Sequence, residues 1–90
     1  MSYMKHPISV EGYSGSLKEL AHAIGSMRYD KVAEFLAEFT KELEQQSEGD
    51  AKRGHAQLAA LLKSTSEQIG MTQVQMEKIW KLCEPYMQND

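Results

Sequence analysis

A chain of 90 residues with 41% hydrophobic side chains and two prolines is composed as one folded domain and not as a disordered tail. Its 10 basic residues against 13 acidic ones, a net charge of −3, exclude a broad cationic footprint for nucleic acid, and its one cysteine, Cys83, excludes an intrachain disulfide. No apolar run approaches the roughly 20 residues that cross a membrane, and the opening residues hold no apolar leader, so a cytoplasmic protein is expected.

Residues 1–15 carry no helical pattern and read as an irregular arm, with residues 16–90 as the helical domain. A few alternating positions allow one short extended segment, and Ile8, Val10 or Tyr13 are expected to lie on the helices. Ser16-Leu17-Lys18-Glu19 is a capping box, in which the Ser16 oxygen takes the Glu19 amide and the Glu19 carboxylate reaches back to the Ser16 amide. Leu17, Leu20, Ala21 and Ile24 follow at helical spacing, and Gly25 offers a left-handed stop, which predicts a first helix over 17–24.

A second helix is predicted over 27–47, capped by Ser26 or, if it starts later, by Asp30. Val32, Phe35, Leu36, Phe39 and Leu43 form one apolar stripe on it, expected to be the scaffold on which the other helices pack. Glu34, Glu38, Glu42 and Gln45 make an opposite polar ridge, with Glu44 and Glu48 on the next face. That ridge reads as a solvated face, or as a surface for a basic partner. Ser47-Glu48-Gly49-Asp50 has turn composition.

A third helix is predicted over 51–69, with Leu58, Leu61, Leu62, Thr65 and Ile69 as its stripe and Gly70 as its end. A fourth, over 72–84, is predicted from Thr72 as cap, Gln75 as the partner in a second capping box, and the row Met76, Ile79, Trp80 and Cys83. Pro85 is read as its stop. Short loops favour antiparallel neighbours, so the expected fold is all-α, a small four-helix antiparallel bundle.

Four chemistries can be weighed on this frame. Ala21 and Gly25 followed by a short turn resemble a helix-turn-helix, but Lys31 and Glu34 stand where that pattern is apolar. A recognition helix would offer only Arg28 and Lys31 before turning acidic. Lys52, Arg53 and His55, at the predicted start of the third helix, oppose its dipole and suggest an anion site, or else pairs with Glu44 or Glu48. His6, His22 and His55 are far apart in sequence, Cys83 lies on an apolar row, and no metal-ligand or catalytic motif is present. No enzyme, no cofactor and no metal are therefore expected.

Met4, Met27, Tyr29, Val74, Tyr86 and Met87 fit none of the four stripes. Tyr29, Met27, Val74, Tyr86 and Met87 are accordingly the expected interaction surface, since leftover Tyr and Met suit a protein-binding face. The leading expectation is a non-catalytic protein–protein interaction module that pairs with itself, as a homodimer, or with another protein. The alternative is a small nucleic-acid-binding or regulatory protein with a degenerate helix-turn-helix.

Overall fold

The computed structural model describes residues 6–87, and every regular element among them is an α-helix. There are three: α1 (Leu17–Gly25), α2 (Tyr29–Lys52) and α3 (Ala56–Met87). The all-α class stands, and the four-helix bundle is corrected: the segments expected as 51–69 and 72–84 are parts of one 32-residue helix. The first five residues of the expected arm, Met4 among them, lie outside the described residues, and 6–15 are non-helical. The arm turns through Gly12, with the Tyr13 amide donating to the Val10 carbonyl at 3.1 Å. Ile8 is 99% exposed and Val10 is exposed as well, so of the three candidates only Tyr13 is half-buried.

α1 starts as its residues dictate. The Glu19 amide donates to the Ser16 hydroxyl at 3.1 Å, and the Ser16 amide donates to the Glu19 carboxylate at 2.8 Å. The expected left-handed stop is absent: Gly25 is the last helical residue, and Ser26 ends α1 in right-handed geometry, its hydroxyl donating to the His22 carbonyl at 2.7 Å. Ser26 is thus spent on the end of α1 and does not cap α2. Arg28 holds the N-cap position of α2 without a side-chain cap bond, and Asp30 lies in its first turn, where a carboxylate suits the helix dipole.

α2 runs through Ser47-Glu48-Gly49-Asp50, which the sequence reads as a turn. Serine favours turns because its hydroxyl competes for its own backbone. Here the Ser47 hydroxyl donates to the Ala59 carbonyl of α3 at 2.7 Å, so that competition is removed. The turn comes later, at Arg53-Gly54-His55, where Gly54 has φ +85°. α3 likewise runs through Gly70 and Thr72. The Thr72 hydroxyl donates back to the Gln68 carbonyl at 3.1 Å, as a residue inside a helix does, so Thr72 is not a cap. Pro85 falls in the last turn of α3, where it costs one backbone hydrogen bond without preventing the final residues from coiling.

α2 and α3 form an antiparallel hairpin. Ser47 meets Ala59 near the loop, and the Arg28 guanidinium lies 5.1 Å from the centre of the Trp80 ring at the far end. The seam between them is a row spaced by seven: Ala33, Thr40 and Ser47 on α2, and Ala59, Ser66, Gln73 and Trp80 on α3, the α3 row small near the loop and larger toward the open end. Ala33, Ser47, Ala59 and Ser66 are the buried residues among those described. The stripe expected to be the scaffold is therefore not the core: Phe35 and Phe39 are 40% and 41% exposed, and Val32, Leu36 and Leu43 are half-buried. α1 touches α2 sparsely and does not reach α3.

Candidate interaction surface

The position of the seam decides which side chains share a face. A residue one step before a seam residue is rotated by about 100° around its helix. In two right-handed helices running in opposite directions, the same sense of rotation from the contact line leads to the same side of the pair. Glu34 follows Ala33 and Lys81 follows Trp80, and both line one cleft, so residues one step after the seam share a face. That face also carries Glu38, Lys41, Glu48, Glu67 and Lys78.

The residues one step before the seam share the other face. On α2 these are Val32 and Phe39, with Leu36 and Leu43, three residues past Ala33 and Thr40, and Phe35 beside them. On α3 they are Leu58, Thr65, Thr72 and Ile79, with Leu62, Ile69 and Met76, three residues past Ala59, Ser66 and Gln73, and Leu61 beside them. Each helix thus sets its large apolar side chains off the seam in the same direction, and the hairpin becomes a plate with one charged face and one apolar face. Phe35 and Phe39 stack on each other with ring centres 6.0 Å apart. Leu61 on this face is 62% exposed and Leu58 48%.

A second feature lies at the open end of the hairpin. A cleft of about 360 Å³ is lined by Asp30, Glu34, Glu77 and Lys81 around Trp80, with Ala33, Ala37 and Gln73 as its floor. Arg28 already places its guanidinium over Trp80 and forks onto Asp30, with Nε to Oδ1 at 3.0 Å and Nη2 to Oδ2 at 2.7 Å. That fork holds the Asp30 carboxyl below its ordinary range and raises the Arg28 guanidinium above its own. Lys31 pairs with Glu34 at 3.1 Å. The two cations that a helix-turn-helix reading would aim at DNA are therefore both engaged within the chain.

The candidate anion residues fall elsewhere than expected. Lys52 ends α2 and Arg53 is its C-cap, so these cations complement a helix C-terminus and do not oppose an N-terminus. Arg53 pairs with Asp50 at 2.7 Å, not with Glu44 or Glu48. His55 accepts the Ala59 amide on its backbone carbonyl at 2.9 Å and so opens α3. Gly54, expected to loosen a first helical turn, is the loop residue that needs a positive φ.

Of the expected interaction residues, Met27 and Tyr29 are 38% exposed near the start of α2, and Tyr86, at 78%, belongs to the same end of the hairpin. Val74 is 48% exposed but follows Gln73, on the charged side. Met87 is the last residue of α3. Tyr29 and Tyr86 share the heptad positions of Leu36 and Ile79, on the apolar side, and Val74 lies apart from them. The larger patch is the stripe expected as a core, and the seven-residue recurrence of Ala33, Thr40 and Ser47 and of Ala59, Ser66, Gln73 and Trp80 is the signal that marks it as lying off the seam. Cys83 is a half-buried free thiol, and no metal-binding group of His, Cys, Asp or Glu occurs among the described residues. No described helix is long and apolar enough to cross a membrane. Compared with known proteins, the chain matches no family model, no curated protein and no solved structure.

Proposed function

We propose that the chain is a non-catalytic protein–protein interaction module of the cytoplasm, acting through the apolar face of the α2–α3 hairpin. The observation that carries this reading is the exposure of Phe35, Phe39, Leu58 and Leu61 on one side of a two-helix plate whose other side is charged. Continuous exposed apolar surface with a polar surround marks a place where another protein sits. A reducing compartment suits the lone Cys83 thiol. The nucleic-acid alternative would use Arg28, Lys31, Lys52 and Arg53, and it is the weaker reading because Arg28, Lys31 and Arg53 are ion-paired within the chain.

The test is photo-crosslinking in cells from single positions on the two faces. A photoreactive residue at Leu61 should give protein adducts, while the same residue at Glu67 should give few or none. Adducts of equal yield from both positions, or from neither, would sink the proposal. Titration of duplex DNA at low salt should show no binding, and binding that falls steeply with added salt would revive the alternative.

A further inference from the structure

The hairpin is a single layer. The Cα atoms of the chain span 53 × 29 × 14 Å, a flat shape in which the two long helices lie side by side. A stable domain needs two layers packed around a core. Here the only buried hydrophobic residues described are Ala33 and Ala59. The accessible surface is 7345 Å² for a mass of 10.2 kDa, where a compact monomer of that mass exposes about 5,300 Å². Part of the excess belongs to the arm, and the exposed Phe35, Phe39, Leu58 and Leu61 contribute to the rest.

Resting on the reading of this face as an interaction surface, we propose that its occupant is a second copy of the chain, packed apolar face to apolar face, so that two hairpins close one dimeric four-helix bundle. The face itself argues for self-pairing. Between Val32 and Leu43 on α2, and between Leu58 and Ile79 on α3, its one ionisable side chain is Glu42, at the outer edge, seven residues on from Phe35. The centre of the face offers a rotated copy no like charge, and a partner chosen by charge would find little there to recognise. The charges of both copies remain on the two outer faces. Such a pairing is isologous and closes on itself, so it stops at two chains. It also explains why a chain with so little core of its own keeps two long helices: the missing layer is made whenever the chain is made.

Light scattering over a range of protein concentration, with thermal unfolding of the same samples, tests this. The expected mass is twice 10.2 kDa, with an unfolding midpoint that rises with concentration. Thr65→Glu places a charge at the centre of the apolar face and should reduce the mass to one chain. If that variant only unfolds, Thr65→Leu provides the second reading: it adds apolar surface at the same position and should lower the concentration at which the dimer dissociates by roughly tenfold, from an added methylene or two of burial. Glu67→Lys on the charged face should leave the mass unchanged.

A single-chain mass at every concentration, with a midpoint that does not move, overturns self-pairing. So does a dimer that Thr65→Glu and Thr65→Leu leave alone while Glu67→Lys breaks it. If the chain proves monomeric, crosslinks from Leu61 to a different protein would still support the interaction surface, and no crosslink to any protein would take both readings down.

Discussion

Ser16 and Glu19 hold the start of α1 by two reciprocal hydrogen bonds, and both are exposed. The Glu19 carboxyl sits below its ordinary range, first because the Ser16 amide donates to it and then because of the Ser16 side chain. A lowered folded-state pKa means that the contribution is complete above the unfolded value of about 4.3 and is lost as pH falls through the lower folded value. Far-UV dichroism should therefore show a loss of helix on acidification that Glu19→Gln removes, and Ser16→Ala should cost α1 about 1 kcal/mol at neutral pH. Ser66 has the opposite environment. It is fully buried in the seam, its hydroxyl donating to the Lys63 carbonyl at 2.7 Å. Ser66→Leu should force the helices apart and destabilise by roughly 1–3 kcal/mol in urea titration, although leucine is the better helix former. The capping box was legible because it lies within four adjacent residues. The seam role of Ser66 was not, because a serine there gains its importance from what faces it on the other helix and not from its neighbours in sequence.

At the scale of elements, two glycines should respond in opposite ways. Gly70 lies inside α3 with open space where a Cβ would stand, so Gly70→Ala should stabilise the helix by about 0.5–1 kcal/mol. Gly54 also has open space, but its φ of +85° disfavours any L side chain, so Gly54→Ala should destabilise by about 1–2 kcal/mol. Thermal midpoints of the two variants check both. If Gly70 ended a helix, as the sequence alone suggests, its replacement would not stabilise. The expectation of four helices rests on local stop signals, Gly70, Thr72 and the Ser47–Asp50 run, and the seam pattern passes through all of them. Most members of that pattern are small or polar, so an apolar stripe of large side chains lands off the seam. The large residues do form one face of each helix, but periodicity does not state what that face packs against.

For the whole molecule, the absence of charge at the centre of the apolar face sets how the proposed association responds to the solvent. Screening weakens pairs that depend on opposite charges, whereas apolar burial is insensitive to it or strengthened by excluded salts. The dimer dissociation constant should thus hold steady or fall as sodium chloride or sulfate is raised, which sedimentation equilibrium can measure. Dissociation promoted by salt would mean that the charged faces make the contact. The all-α class was readable from periodicity and composition. The number of layers was not, because a sequence states which side chains avoid water but not whose surface they find.

The three-residue connection Arg53-Gly54-His55 also sets the order of events when the chain folds. Closing so short a loop costs little chain entropy, and a hairpin of neighbouring helices is rich in local contacts, so α2 and α3 should zip along their seam quickly. On the proposed pairing, the slow step is encounter between two chains. Refolding should then show a fast phase that is independent of concentration, in which helix forms, and a second-order phase in which the Phe35–Phe39 pair leaves water. A newly made chain would spend that interval as an amphipathic pair of helices, and its lifetime in that state would depend on how many copies are nearby.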